Sequence, residues 1–306
     1  MWKGKKVSKI QKKSRMSLLK RFIWYVVGFA LFFAPFALFN RGLAFLLDEK
    51  RSGDIHATCF RMPLVDMLTG KGIVILSVTG ISLILLLVSA FLLGPFFCGK
   101  LCAAGAFTEY LSRLLPDKWK VDWSKYVNPV PLRYGFFAAF IIGPIIGLSL
   151  SCSYCGYSFF EKFTNGGIWG DFGVLGSTAI ITAFLWLVVF GLFTKGGRGY
   201  CNFMCPVGAA QNIVHAVGAK LPFTMKIKYD RKKCVSCNAC VKDCPMRALT
   251  QGEDKKIQHS NHNCITCQQC VAVCPTKSIT YGFGKGGWQQ EEVKPVQEPK
   301  PVEKGA

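Results

Sequence analysis

The chain has 306 residues, 51% of them hydrophobic, and 38 Lys and Arg against 17 Asp and Glu give a formal charge of +21. A basic balance of this size suits a nucleic-acid binder, but here it stands beside long uncharged apolar runs, which points to a membrane protein with basic flanks and away from nucleic acid. Fifteen cysteines exclude an ordinary cytosolic enzyme, and eight of them are spaced as metal ligands rather than as a disulfide framework.

Residues 1–21 hold nine Lys and Arg and no acidic residue, the composition of a basic cytoplasmic N-terminus. Four runs without Asp, Glu, Lys or Arg follow: Phe22–Phe39, Gly72–Phe97, Tyr134–Leu150 and Phe172–Phe193. A bilayer core of roughly 30 Å needs about 20 apolar residues in a helix, so each run is read as a transmembrane span, the third a short one kinked at Pro144. The first is not read as a signal peptide, because apolar residues continue past Asn40 with no small-residue cleavage site. Four spans put 40–71 and 151–171 outside, with five and one Lys/Arg, and 98–133 and the region after Phe193 inside, with six and seventeen. The expected place is a bacterial cytoplasmic membrane, with both termini cytoplasmic. Trp119 and Trp123, set among lysines, suit an interfacial helix on that inner side.

After the second run the chain reads FCGKLCAAGAFTEY, and after the fourth YCNFMCPVGAAQNI. Aligned, Cys98 meets Cys201, Cys102 meets Cys205, Gly105 meets Gly208 and Ala106 meets Ala209. Pro206 fits the first turn of a helix, and a helix N-terminus favours thiolates and metal binding. Each half is run, loop, run, C-x3-C and a short helix ending in Leu-Pro (Leu115–Pro116 and Leu221–Pro222). That predicts two parallel repeats about a pseudo-twofold axis. Near such an axis Cys98, Cys102, Cys201 and Cys205 converge as four thiolates able to hold a further iron or iron–sulfur centre. A thiol–disulfide switch in each pair and simple burial of small apolar side chains are the competing readings.

Cys59, Cys152 and Cys155 fall in the loops read as external. Either Cys152 and Cys155 form a disulfide with Cys59 spare, or all three join an outer metal site, with His56 as a candidate fourth ligand. The four runs contain no histidine, which excludes a bis-histidine haem from the membrane part. His215 is a packing residue with quinone contact as the second reading. Glu109 is a candidate proton relay to a quinone.

From Cys234 the chain reads CVSCNACVKDCP and from Cys264 CITCQQCVAVCP, both C-x2-C-x2-C-x3-C-P. Three closely spaced thiolates wrap one face of a cubane, and the fourth cysteine of each run serves the other cluster. Cys234, Cys237, Cys240 and Cys274 therefore form one 4Fe–4S set, and Cys264, Cys267, Cys270 and Cys244 the second. Val241, Val271 and Val273 are suited to pack against the clusters. A zinc module is the competing reading. His259 and His262, between the runs, are read as solvated loop residues. The Pro-, Glu- and Lys-rich residues 284–306 read as a disordered tail.

On these residues the chain resembles NapH-type membrane ferredoxins, which accompany periplasmic nitrate reductase, and the related membrane part of the regulator NosR. The shared features are the FC…C after the second run, CNFMCPVGA after the fourth, MPLVDMLTG and the ferredoxin repeats. The resemblance departs at Ala103, where the family motif C-x3-C-P has proline. It implies a mainly α membrane protein with four transmembrane helices as two parallel repeats over 22–222, plus a small α+β two-cluster ferredoxin domain over 223–283. It also implies electron exchange with a quinone or a membrane redox partner, as an electron-transfer subunit among others of an oxidoreductase. The alternative is an assembly or regulatory protein that reduces a metal or thiol while another complex matures.

Overall fold

The computed structural model describes residues 2–33, 36–48, 76–145, 155–160, 163–164, 179–286 and 288. The basic N-terminus and the first apolar run form one helix, α1 (Trp2–Phe32), followed by α2 (Leu38–Leu46). The next helix, α3 (Val78–Leu93), opens on Ser77, whose hydroxyl accepts the Gly80 N–H, and stops at Gly94 before Pro95. A π-helical turn, Phe97–Leu101, carries the first motif into α4 (Ala103–Leu114). After α5 (Pro129–Ile145), the short α6 (Ala179–Phe184) runs into a π-helical segment, Leu185–Leu192. The second motif lies across α7 (Gly199–Phe203) and α8 (Pro206–Gly218).

The C-terminal part is small and mixed: β1 (Lys226–Tyr229), α9 (Ala239–Lys242), β2 (Leu249–Gln251), β3 (Ile257–His259), α10 (Gln269–Val273) and β4 (Ile279–Gly282). β1 pairs antiparallel with β4, Lys226 facing Gly282, and β2 pairs antiparallel with β3, Leu249 facing His259. Trp288, inside the segment read as a tail, stacks on Tyr229 with ring centroids 4.7 Å apart and donates its indole N–H to the Ile227 carbonyl.

The two motif-bearing segments pack crosswise. α3 of the first lies on α8 of the second, and Leu185–Leu192 of the second lies on α4 of the first. Each motif ends the same way, with Cys102 and Cys205 as N-caps at nearly equal dihedrals (φ −72°, ψ 99° and φ −68°, ψ 114°) and Pro206 in the first turn. Between them Ala103, Ala104, Phe203 and Met204 pack with Phe33, Phe160, Trp186 and Tyr200.

The expectation of four transmembrane helices is corrected. Among the described residues, no helix is long and apolar enough to cross a membrane. α1 ends at Phe32 and carries Lys20 and Arg21 just before its apolar part. α3 has 16 residues and stops at Gly94, which is about 24 Å of helix against a core of roughly 30 Å. α5 spends part of its 17 residues on Pro129–Arg133, and the described part of the fourth run splits between α6 and the π-helical segment. Residues 34–35, 72–75, 146–150 and 172–178 of the four runs lie outside the described residues. The chain is helical with 4Fe–4S domains, and the repeat is one of motif-bearing helices rather than of spans. Trp119 and Trp123 sit in short 3-10 turns, Asp117–Trp119 and Trp123–Lys125.

A buried ion network ties α1, α4 and the second motif together. Glu109 is fully buried and accepts from Arg21 Nη1 (2.9 Å) and Nη2 (2.8 Å), from Arg198 Nε (2.7 Å) and from Arg113 Nη2 (3.3 Å). Arg198 also donates to the Cys98 carbonyl (2.8 Å) and the Tyr25 hydroxyl (2.7 Å), which in turn donates to the Gly99 carbonyl (2.6 Å). Burial alone would raise the Glu109 pKa, but Arg21, Arg198 and Arg113 hold it at about 2. Glu109 is a buried counter-charge shared by three arginines.

Glu109→Gln leaves Arg21 and Arg198 buried without their carboxylate, and the expected loss is about 3–5 kcal/mol near neutral pH. The measurement is the thermal midpoint of the anaerobically held protein. Because the folded pKa lies below the ordinary 4.5, the carboxylate's contribution is complete above pH 4.5 and is lost as pH falls toward about 2. The gap between wild type and variant therefore stays constant from neutral pH down to about 4.5 and then narrows.

Candidate iron–sulfur sites

The ferredoxin loops repeat in backbone as well as in sequence. Ser236, Asn238 and Arg247 have φ of 54°, 57° and 53°, and Thr266, Gln268 and Lys277, each 30 residues on, have φ of 46°, 63° and 54°. Cys234 and Cys264 have that same separation. A non-glycine residue in this left-handed region costs roughly 1–2 kcal/mol. The same three positions take this conformation in both loops, so the two loops share one backbone course. In the second loop the Thr266 N–H donates to the Cys264 sulfur at 3.4 Å.

Two cavities result. Cys234, Cys237, Cys240 and Cys274 line one, with Ile257 and Ile279. Cys244, Cys264, Cys267 and Cys270 line the other, with Ile227, Met246 and Leu249. The fourth cysteine of each run thus faces the cavity of the other run. Val273 is buried, and Val241 and Val271 pack on the same core.

Burial, with the neighbouring Cys237 and Cys274 thiolates, pushes Cys240 up to about 12, and burial with Cys267 pushes Cys244 up to about 11. Thiols crowded in this way give up their protons to a metal rather than to water. Cys274 goes the other way: burial would raise it, but the Ser278 and Thr276 hydroxyls and the Ile279 N–H outweigh that. Apolar walls, converging sulfurs and N–H donors fit a 4Fe–4S cluster in each cavity.

His259, expected in a solvated loop, is instead stacked on Trp288 at 4.7 Å. Burial is the main cause that holds it neutral with a pKa of about 3. His262 does lie at the surface, 2.6 Å from the Tyr134 hydroxyl. His215 is buried in α8 and kept neutral, pKa about 4, by burial and by Lys226.

The structure also brings Cys98, Cys102, Cys201 and Cys205 together. Burial is the main cause that raises Cys98, and charges on Cys102, Cys205 and Cys201 add to it. Burial pushes Cys201 up to about 12 against the pull of Arg198, with Cys205 and Cys102 adding. Gln211 Nε2 donates to the Cys98 sulfur at 3.2 Å, and the N–H groups of Ala104 and Gly105 favour the Cys102 thiolate.

Among the described residues, no three His, Cys, Asp or Glu side chains close on one metal ion. That holds for the ferredoxin sets as well. A single ion draws thiolates to about 2.3 Å, whereas a cubane holds them apart at its corners. Four thiols are donors that either an iron ion or an iron–sulfur cluster accepts.

Cys59 and Cys152 lie outside the described residues, so the outer site drawn from them is not described. Cys155 precedes a helix over 156–160, and Gly156 donates its N–H to the Tyr200 hydroxyl at 3.1 Å.

One ferredoxin set abuts the motif set. A Cβ at Gly99 would fall 2.1 Å from the Ile265 carbonyl, so only glycine allows this approach. Phe97 and Cys98 share one core with Met246, Ala248, Ile265 and Cys267. Asn212 Nδ2 donates to the Asn261 carbonyl (2.9 Å) and the Cys264 carbonyl (3.3 Å). The Cys234 set packs elsewhere, in a core with Ile227, Tyr229, Ile257 and Ile279 that Ile10 of α1 joins. Gln211, Asn212, Arg133 and Arg198 are the polar residues around the junction. Gln211 and Asn212 carried a signal, being amides in an otherwise apolar helix.

Residues 226–275 match the 4Fe-4S dicluster domain. Residues 76–122 and 178–224 each match the 4Fe-4S binding domain, so the doubled motif is a doubled domain. The chain is similar to NapH-type ferredoxin proteins. It is 30% identical to the ferredoxin-type protein NapH of Haemophilus influenzae over 53% of this chain and 51% of that one. It is 26% identical to the Escherichia coli protein YccM, named for electron transport, over 54% of this chain and 45% of that one. An uncharacterized Methanocaldococcus jannaschii protein, MJ0750, is 26% identical over 55% of this chain and 76% of its own length. The chain spans about half the length of the first two relatives. No solved structure matches significantly. The two ferredoxin sets carry two 4Fe–4S clusters as cofactors.

Cys274→Ser removes a ligand from the set built by the Cys234 run although it lies in the Cys264 run. The expected result is one altered or missing EPR signal with the other cluster intact, the same signal that Cys237→Ser affects. Cys244→Ser affects the other. Iron content and EPR of the three purified variants check the crossed pairing.

Proposed function

We propose that this NapH-like protein passes electrons through three cysteine sets in series and exchanges them at the motif end with a quinone or a membrane redox partner, as one subunit of a redox complex. The order is Cys234/Cys237/Cys240/Cys274, then Cys264/Cys267/Cys270/Cys244, then Cys98/Cys102/Cys201/Cys205. The single observation behind this order is the core that Cys98 shares with Cys267, which joins the second set to the third and leaves the first at the far end. When bound, an iron–sulfur cluster supplies a one-electron carrier at each set.

The protein's part is to hold and shield. Apolar side chains line both ferredoxin cavities. α1 fastens the C-terminal part in place, Ser14 donating to Asp243 Oδ2 (2.7 Å) and Ser17 to Gln269 Oε1 (2.8 Å). Cys237 is exposed, which suits the first set to a soluble donor or acceptor. An association with the bacterial cytoplasmic membrane is supported by exposed apolar side chains: Phe22, Ile23, Trp24 and Val26 on α1, and Leu85, Val88 and Leu92 on α3. The basic residues of 1–21 would add attraction to anionic lipid.

If the four motif sulfurs share one centre, Cys98→Ser, Cys102→Ser, Cys201→Ser and Cys205→Ser each lose the same iron and the same EPR signal while both ferredoxin signals persist. Full iron in any one of them rejects the shared centre. Two separate dithiols would instead leave one pair oxidisable in each variant. Adding a quinol to the oxidised wild-type protein is expected to reduce its clusters, and the four variants should lose that reduction. Flotation with anionic vesicles tests the membrane association, and a protein that stays at the bottom of the gradient counts against it.

A further inference from the structure

The repeated glycines Gly105 and Gly208 stand three residues after Cys102 and Cys205, and each leaves room for an arginine beside a motif sulfur. A Cβ at Gly105 would fall 2.8 Å from Arg198 Nη1 and 3.2 Å from the Cys201 sulfur. A Cβ at Gly208 would fall 2.2 Å from Arg133 Nη2 and 3.8 Å from the Cys205 sulfur. Two guanidinium groups therefore lie in the first turns of the motif helices, where the helix dipole is already positive. Cations gather at such a place when an anion occupies it.

The two arginines are not equivalent. Arg198 is answered by Glu109, at 2.7 Å. Arg133 is fully buried, and its one hydrogen bond among the described residues runs from Nη1 to the His262 carbonyl at 2.9 Å. Its Nε and Nη2 have no partner among the described residues. A carbonyl does not neutralise a guanidinium, and a buried, unpaired charge is costly. Arg133 favours the ionised forms of Cys98 and Cys201, one from each motif, and that of Tyr134 beside it in the chain.

We propose that Arg133 is the counter-charge of the iron–sulfur centre held by Cys98, Cys102, Cys201 and Cys205, donating through its free N–H groups and raising that centre's midpoint potential. This rests on the reading of the four cysteines as one shared centre. A cluster bound by four thiolates is an anion, and taking up one electron makes it more negative. A fixed cation beside it stabilises the reduced form more than the oxidised one, with no proton needed. The asymmetry then has a purpose: Arg198 shares the Glu109 carboxylate with Arg21 and Arg113, whereas among the described residues no carboxylate pairs with Arg133.

The test is redox-titrated EPR with iron analysis on the full, anaerobically reconstituted chain as wild type, Arg133→Gln and Arg133→Lys. Arg133→Gln is expected to lower the midpoint of the motif centre while both ferredoxin midpoints stay near wild type, and Arg133→Lys to bring it back toward wild type. Loss of the centre from Arg133→Gln alone, with Arg133→Lys retaining it, also supports the charge role. An unchanged midpoint in Arg133→Gln overturns the proposal. So does an equal fall in both variants, or loss of the centre from both, because either assigns Arg133 to shape rather than charge. Absence of the third signal and its iron from the wild type overturns the shared-centre reading itself, a result separate from the others.

Discussion

The carboxylate of Glu109, buried between Arg21 and Arg198, is the contact on which the rest of the arrangement depends. Arg21 belongs to α1, Glu109 to α4 and Arg198 to the turn before the second motif. Through the Tyr25 hydroxyl and the Cys98 and Gly99 carbonyls the same network reaches the first motif. Charges of this kind cannot be left singly in an apolar interior, so the network forms only when all its elements are in place. Its cost enforces one mutual position for the two motifs. That position is what a shared set of four sulfurs requires.

From there the ferredoxin part docks by shape and backbone polarity, together with the ion pairs Arg247–Asp122 and Arg113–Asp243. Gly99 admits the Ile265 carbonyl, and Asn212 and Arg133 take the carbonyls of Asn261, Cys264 and His262. Every one of these acceptors lies in or beside the second ferredoxin loop. The first loop is held by other contacts: Ser14 of α1 donates to Asp243, Gly196 admits the Pro245 carbonyl and Arg247 pairs with Asp122, while Ser17 of α1 donates to Gln269 of the second loop.

The chemistry was more legible than the architecture. The C-x2-C-x2-C-x3-C-P runs and the doubled C-x3-C carry their meaning locally, because ligand spacing is a property of a few consecutive residues. The repeat was legible too, down to Gly105 and Gly208. The membrane spans were misread for a physical reason. An uncharged run bounded by Arg or Lys reads as apolar helix ending in water, yet Arg21, Arg133 and Arg198, which bound such runs, are buried. Each has partners or a site inside the fold that sequence separation hides: Glu109 is 88 residues from Arg21, and His262 is 129 residues from Arg133. His259 was misplaced in the same way, since its cover, Trp288, comes from a segment whose composition reads as disorder.

The duplicated domain also explains why its two halves have diverged where they have. Two copies about one axis supply equal sulfurs and equal helix N-termini, and Cys102 and Cys205 keep nearly the same dihedrals. A centre between strictly equal halves would feel the same field from both sides. Here the first half supplies Glu109, which is spent on Arg21 and Arg198, and α5 supplies Arg133 over the second half with no carboxylate in return. Pro206 stiffens the second motif helix where Ala103 leaves the first without that restraint. If the four sulfurs hold one centre, symmetry builds its ligand set, and the residues that break the repeat, Glu109 and Arg133, are where its potential is set.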